Sequence, residues 1–390
     1  MKTILLISPY WKEEHRWMVS SVKLAELWQR LGYRVVVACM GKPLSPSPSP
    51  EGRGGHVERV SDTLTIYRKK DFFLKDPWNY GIAFGFTGLV RRIIREERPD
   101  LVVINKILFW TSLAAIPLAL SGRRPLVLTD TFVGITWWPR GLLPRIGAAM
   151  YAWTFGWLIL LCARRVVLFH PQPASLLKRL CISGKTLVIP TGVDVTRFSM
   201  RGEENEQQAT LQRVTMTYVG RLESVKGVAD YLAAAVSVLR DFPQTQVQVV
   251  GWYPSTSSGQ VNHPLVNQYQ KQATFTGLRH DIPDILRTTD IFVLPSYSEG
   301  LSNALQEAMA SGCACVASDV GGNRFLIQNG VSGLLFPAGD REALRSHLRR
   351  LLEDPAKRRS IGEAARKRIE DVFDWKVVGE QYRAVFGLLS

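Results

Sequence analysis

A chain of 390 residues with 46% hydrophobic and 21% charged residues is too long for one compact core and too apolar to be disordered, so two folded domains are expected. Lys and Arg number 49 against 34 Asp and Glu, a net charge of +15, and the excess sits in one half. Residues 1–195 hold 27 Lys and Arg against 13 Asp and Glu, a net of +14, whereas residues 196–390 hold 22 against 21, a net of +1. Such asymmetry points to a polyanionic partner for the first half, a nucleic acid or an anionic membrane surface.

In chain order, Thr3–Ser8 is too short for a signal-peptide core and stops at Pro9, so it reads as a buried strand and no export signal is expected. A helical pattern through Val22, Leu24, Leu27, Trp28 and Leu31 follows, then Gly32 and a second strand at Val35–Val37. Strand, helix, strand is the opening of a parallel α/β sheet. Further strands are predicted at Leu101–Ile104, Leu126–Leu128 and Val166–Phe169. The Pro- and Gly-rich residues 44–55 form an insertion that cannot hold a ladder, and the polar residues 201–212 mark a linker or long loop. The second half repeats the alternation: strand Met216–Val219, helix Val228–Arg240, strands Val247–Val250 and Thr274–Phe275, helix Ile282–Arg287, strand Ile291–Leu294, helix Asn303–Ala310, strand Cys315–Ala317. Two Rossmann-like parallel sheets facing across a cleft are expected, with ligand loops at the strand carboxyl ends. The cysteines (Cys39, Cys162, Cys181, Cys313, Cys315) lie mostly in apolar runs without a C-x-x-C pair, which reads as buried thiols in a reducing compartment and no zinc site.

Two loops carry candidate chemistry. In Tyr218-Val219-Gly220-Arg221-Leu222-Glu223-Ser224-Val225-Lys226-Gly227, Gly220 admits a close ligand, and Arg221 and Lys226 near a helix start suit a diphosphate; solvated cations are the plainer reading. In the loop from Pro295 to Gly312, Ser302 is the expected helix cap, with Glu299 ahead of the helix and Glu307 inside it, about 7 Å along its axis. Carboxylates so staggered can hold hydroxyls at opposite ends of one ligand, although an exposed Glu299 and a solvated Glu307 would also fit the pattern.

Taken together, Val219 to Asp340 resembles the donor-binding domain of family 4 glycosyltransferases, retaining enzymes of the GT-B fold. The resemblance rests on Val-Gly-Arg-Leu with Lys226-Gly227, Phe275-Thr276-Gly277, the strand from Asp290 to Ser296, Glu299 and Glu307 with seven residues between them, Gly321-Gly322, and Gly330-Val331-Ser332-Gly333-Leu334-Leu335. It implies that Arg221 and Lys226 hold the diphosphate and stabilise its leaving charge, that Glu299 stands by the donor sugar, and that Glu307 binds the ribose. Gly220, Gly300, Leu301 and Ser302 would line the donor, and backbone around Gly277 to Arg279 would flank the base. No metal or other cofactor is implied. In the mechanism usually proposed for the family, the acceptor hydroxyl attacks on the face from which the diphosphate leaves, and a phosphate oxygen takes its proton.

The sequence departs from the pattern at several positions. Phe325 stands where the family often has Glu, the loop from Ser8 to Arg16 lacks the usual Gly-Gly, and Asn105 and Thr131 occupy places where histidines are common. Asn105, Asp130, His15 and His170 are the candidate acceptor-side residues. The first half holds basic clusters at Arg68-Lys69-Lys70, Arg91-Arg92, Arg123-Arg124 and Arg164-Arg165. Ile146–Ala163 is eighteen residues without a charge, containing Tyr151, Trp153, Phe155 and Trp157, preceded by Trp137-Trp138-Pro139-Arg140. It is open to three readings: a mostly buried helix, a membrane span, or a helix whose aromatic face meets a membrane surface.

The expected organisation is an acceptor-binding domain over 1–190, a nucleotide-sugar domain over 191–372, and a terminal helix over 373–390 returning to the first. The expected activity is transfer of a hexose from a UDP- or GDP-sugar to a lipid-linked or membrane-surface glycan acceptor, by a cytoplasmic enzyme peripheral to the inner face of the membrane. Nothing resembles a nucleic-acid recognition module, so no nucleic-acid partner is expected. A hydrolase or epimerase of the same fold, or a non-catalytic membrane- or glycan-binding member, are the alternatives.

Overall fold

The computed structural model describes residues 1–11, 19–41, 56–74, 80–129, 142–171, 178, 182–200, 213–251 and 263–389. The predicted insertion at 44–55, the linker at 201–212, Cys181 and Trp137–Arg140 lie outside them. The chain divides into two compact units, Met1–Thr191 with Val378–Ser390, and Gly192–Val377.

The first unit is built on β1 (Thr3–Tyr10), β2 (Arg34–Met40), β3 (His56–Ser61), β4 (Leu64–Lys69), β5 (Phe72–Leu74), β6 (Tyr80–Ile82), β7 (Leu101–Asn105), β8 (Leu126–Thr129), β9 (Arg165–Leu168) and β10 (Thr186–Val188). Eight of these form one sheet in the order β10-β9-β8-β7-β1-β2-β4-β3, parallel except for β3 at the edge; β5 and β6 form a separate hairpin. The central strands are near-continuous Val, Ile and Leu because both faces are covered. The unpredicted β3 and β4 are the mixed case. His56–Ser61 is polar and lies at the edge, and Leu64–Lys69 ends in cations.

Helices α1 (Val19–Arg30), α2 (Phe86–Glu97), α3 (Ala115–Leu120), α4 (Leu142–Tyr151) and α5 (Trp157–Cys162) cover this sheet. Side chains of α2, α3 and α5, including Val90, Ile93, Leu118, Ile159 and Leu160, join one core cluster with Ile7, Val36, Ile104 and Val127 of the strands. The segment Val378–Leu389 falls with this unit, where Trp28 of α1 meets Tyr382 and Phe386 edge-on at 5.7 and 5.5 Å between ring centroids. Such ring pairs add about 0.5–1.5 kcal/mol each beyond the area they bury.

An ion-pair knot ties α2 to the sheet. Glu97 accepts from Arg34 Nη1 and from Tyr67 Oη, both at 2.6 Å. Burial alone would raise the Glu97 carboxyl, but the bonds from Arg34 and Tyr67 outweigh it and hold the pKa below its ordinary value. A depressed carboxylate stabilises the fold above the pKa of its unfolded form and loses that contribution as pH falls through the folded value. Glu97→Gln is therefore expected to destabilise the first unit by about 1 kcal/mol at neutral pH, the group being partly exposed. The gap between variant and parent should close on acidification, which urea titrations at several pH values would read.

The segment 142–162 differs from the buried-helix reading. It is an α4–α5 rod joined by a π-turn at Ala152–Gly156, and only 17% of its apolar window is buried. The Thr154 hydroxyl donates to the Met150 carbonyl at 2.6 Å, a side-chain bond that competes with the regular ladder at that turn. By length and composition this helix could cross a membrane. Yet β8 before it and β9 after it pair in register, Leu126 with Arg165 through Thr129 with Leu168, so spanning would tear one sheet between two compartments.

The second unit holds β11 (Thr215–Val219), β12 (Gln246–Val250), β13 (Thr274–Gly277), β14 (Ile291–Leu294), β15 (Ala314–Ser318) and β16 (Leu334–Phe336), all parallel, in the order β13-β12-β11-β14-β15-β16. From β11 the chain winds outward through β12 to β13, then returns to β14 on the other side of β11 and winds outward again. The sheet therefore has a topological switch point between β11 and β14, where ligand crevices form in such folds.

Candidate active site

Both predicted loops leave the carboxyl ends of these two central strands. After β11 the backbone makes a 3₁₀ turn at Ser224–Lys226 and enters the helix Val228–Val238 through Gly227. After β14 the chain runs to Ser302, whose hydroxyl accepts from Leu305 N at 3.3 Å and caps the helix Asn303–Ala310. Cap and helix start coincide with the sequence expectation.

The two loops are locked to each other. Tyr297 N donates to Val225 O at 2.9 Å, and Lys226 Nζ donates to Glu299 Oε1 at 2.8 Å. The same carboxylate oxygen accepts from Ser296 Oγ at 2.7 Å. Gly227, at φ +66°, lies so close to the Pro295 carbonyl that a Cβ there would stand 2.0 Å from its oxygen. Lys226 and Glu299 keep 22% and 10% side-chain exposure, enough access for a ligand and enough shielding to strengthen the pair.

The remaining donor-side candidates lie on these two loops, at the end of β13 and in the helix Asn303–Ala310. Arg221 is exposed and bonds Glu223 at 2.9 Å; its carbonyl accepts from Tyr218 Oη at 2.8 Å, which shapes the turn at Gly220. Gly277 ends β13, and its carbonyl accepts from Gly251 N at 2.9 Å. Arg279, two residues on, is exposed and forks onto Asp281, with Nε to Oδ1 at 2.8 Å. Leu301 and Ser302 are buried, Gly300 is half-buried, and Glu307 is half-buried inside the helix. The turn after β15 closes over the Glu299 loop: Gly322 N donates to Gly300 O at 2.7 Å, and Gly321 lies against the Glu299 carbonyl.

Sequence reasoning missed the network behind the loops. Asp230, buried in the first turn of Val228–Val238, accepts from Tyr297 Oη at 2.7 Å and from Arg341 Nε at 2.6 Å. The bond to Asp230, with some burial, raises the Tyr297 phenol. Nothing local in the sequence signals this triad, because Asp230 and Arg341 are 111 positions apart. Ser296 was also passed over: it is fully buried and orients Glu299 from below. Ser296→Ala is expected to lower kcat/KM about tenfold, the worth of roughly one hydrogen bond to a charged group, with donor binding read by calorimetry.

In the first unit, Asn105 is fully buried, and its amide donates to Ser21 Oγ at 2.6 Å and Ser20 Oγ at 3.3 Å. Ser21 in turn meets Ser8 Oγ at 2.7 Å, so Asn105 ties the ends of β1 and β7 to the start of α1. His170 is buried just beyond β9. His15 and Asp130 lie outside the described residues. Lys106, not singled out by sequence, adopts φ +72° and places its ammonium 5.4 Å from the ring centroid of Phe169, the residue before His170 in the chain. A left-handed non-glycine residue at a strand end is uncommon, and such strain clusters at functional sites. Among the described residues no group of three or more His, Cys, Asp or Glu side chains could hold a metal ion.

A profile described as glycosyl transferases group 1 matches residues 201–368, and one described as glycosyltransferase family 4 matches residues 19–197. The chain is 30% identical over 202 residues to UDP-Gal:alpha-D-GlcNAc-diphosphoundecaprenol alpha-1,3-galactosyltransferase of Escherichia coli, covering 50% of this chain and 52% of that protein. It is 34% identical over 195 residues to alpha-maltose-1-phosphate synthase of Mycolicibacterium smegmatis, covering 46% and 49%. The chain thus spans about half the length of the curated relatives it matches. Among solved structures, sucrose-phosphate synthase from Thermosynechococcus elongatus superposes with a TM-score of 0.77 at 22% identity, covering 100% of this chain and 99% of that one. Anabaena HepE in complex with UDP-glucose gives 0.72 at 17% identity, covering 99% and 100%. Both halves being matched in order, the chain belongs to the family 4 glycosyltransferases and has the GT-B fold.

Proposed function

We propose that the protein is a retaining glycosyltransferase that moves a hexose from a UDP- or GDP-sugar to a hydroxyl of a lipid-linked acceptor in glycan biosynthesis, working at the inner face of a membrane without a metal. The observation that carries this reading is the Lys226–Glu299 pair at the switch point, with Arg221 on the same loop. A diphosphate leaving from a sugar C1 gains negative charge as the C1–O bond breaks and the electron pair passes to phosphate. A fixed ammonium and a guanidinium beside a helix start stabilise that charge more in the transition state than before it. Glu299, held by Lys226 and Ser296, presents its carboxylate to sugar hydroxyls, and Glu307 one helix turn and more beyond suits the ribose. The acceptor oxygen forms the new bond to C1 on the face the diphosphate leaves, and its proton passes to a phosphate oxygen.

The lipid-linked acceptor is supported by the diphosphoundecaprenol-linked substrate in the name of the Escherichia coli relative and by the basic first half of this chain. The test is nucleotide release across UDP-, GDP- and ADP-sugars, with and without polyprenyl-diphosphate-linked sugar acceptors. Release that depends on acceptor supports transfer. Release indifferent to any acceptor would favour the hydrolase.

A further inference from the structure

On the helical layer of the first unit, α2 and α3 flank a half-open cavity of about 420 Å3 lined by Val90, Ile94, Ala114, Pro117 and Leu118, with the exposed Arg91, Arg95 and Arg123 also lining it. Among the described residues none of the three arginines forms an ion pair with a carboxylate. Arg91 and Arg95 stand one helical turn apart, a spacing at which like charges repel. Three unneutralised guanidiniums around an apolar floor are a receptor for an anion attached to something apolar.

The same layer continues into the exposed rod. Helix α3 packs on α5, and both contribute to one core cluster with α2. Along the outer side of the rod, Ile146, Met150, Trp153, Trp157 and Leu161 recur at spacings of three and four and are 38–65% exposed. Phe155 and Leu158 flank them, at 47% and 39%. A stripe of that size, uncovered by the rest of its unit and rich in Trp, is the apolar face of an interfacial helix. Its far end is basic as well: Lys185 Nζ donates to the Leu161 and Ala163 carbonyls at 2.8 and 3.0 Å, close enough to Arg124 to be felt electrostatically.

We propose that the α2–α5 face is a membrane-docking surface, in which the α2/α3 cavity takes the phosphate headgroup of an anionic phospholipid while the Ile146–Leu161 stripe enters the interfacial layer. Charge decides between this occupant and a second copy of the chain. Between residues 86 and 191, α2 included, there are fourteen Lys and Arg against four acidic residues, Glu96, Glu97, Asp100 and Asp130, so two such faces would repel, whereas an anionic leaflet attracts both rim and cavity. The proposal rests on the membrane-surface part of the reading above and is independent of the donor chemistry.

Flotation of the full chain with vesicles of phosphatidylcholine, alone or mixed with phosphatidylglycerol, tests it without any donor or acceptor. Wild type is expected to bind the anionic vesicles at least about tenfold more tightly than the neutral ones. The triple variant Arg91→Gln, Arg95→Gln, Arg123→Gln should lose that preference, and Trp153→Ser with Trp157→Ser should weaken binding to both, each with an unchanged melting curve. Equal binding to both vesicle types, anionic binding retained by the triple variant, or full binding by the Trp variant would each overturn the proposal. Nucleotide release by the same variants reads the donor site separately.

Discussion

Lys226→Ala is expected to lower kcat/KM by about 10²–10³, with most of the loss in kcat, because the ammonium is proposed to act on charge that appears only as the diphosphate departs. The structure makes this more than removal of a surface charge. Lys226 Nζ is 2.8 Å from Glu299 Oε1, and without it that half-buried carboxylate keeps only the Ser296 hydroxyl among its described side-chain partners. An uncompensated carboxylate beside the departing diphosphate then repels it as well. Lys226→Arg should recover little, since a planar fork does not occupy the place of a compact ammonium in a turn closed by Gly227. Arg221→Ala should cost less, because Arg221 is 53% exposed and solvent already screens it. Steady-state and single-turnover kinetics on the purified variants decide the matter. A Lys226→Ala enzyme with wild-type kcat and only a raised KM would reduce the residue to uniform donor binding.

Sequence made the parallel strands visible wherever both faces are covered, because burial on two sides leaves a continuous apolar run: Ile4–Ile7, Val35–Val37 and Ile291–Leu294 are all strand interiors. It missed β3, β4 and β16, which are polar, end in charge or are three residues long, so their pairing is decided by neighbours far along the chain. The Lys226 and Glu299 loops were legible only as members of a set: each alone reads equally well as solvated charge, and it is the order and spacing of the motifs from Val219 to Asp340 that resembles a donor site. What joins them was not. The Tyr297 N to Val225 O bond is made by backbone, and the Asp230–Tyr297–Arg341 triad links three separate elements. Ile146–Ala163 was ambiguous because composition states how apolar a helix is and never which face is covered. Only the exposure of Trp153 and Trp157, at 61% and 41%, separates an interfacial stripe from a core helix.

Gly321→Ala is expected to damage both stability and activity, and to do so by moving a residue it does not touch through its side chain. Gly321 has φ +46°, and a Cβ there would stand 1.7 Å from the Glu299 carbonyl oxygen. The left-handed backbone alone costs a β-carbon about 1–2 kcal/mol, and forcing an atom into packed backbone adds about 1–3 kcal/mol. The clash cannot relax by swinging a side chain, because its partner is main chain that the adjacent Gly322 N to Gly300 O bond, at 2.7 Å, holds against the same turn. The Glu299 carbonyl must recede, and if Glu299 has the donor-side role proposed for it, a displacement of about 1 Å costs on the order of 10² in rate. Gly330→Ala separates the two terms. Gly330 is also left-handed, at φ +79°, but a Cβ there would meet nothing within 4 Å. It should lose about 1–2 kcal/mol of stability and no activity. Thermal unfolding together with kcat/KM on both variants makes the comparison. If Gly321→Ala lost no more than Gly330→Ala in either measurement, the packing of the Gly321 turn on the Glu299 loop would have no part in positioning that carboxylate.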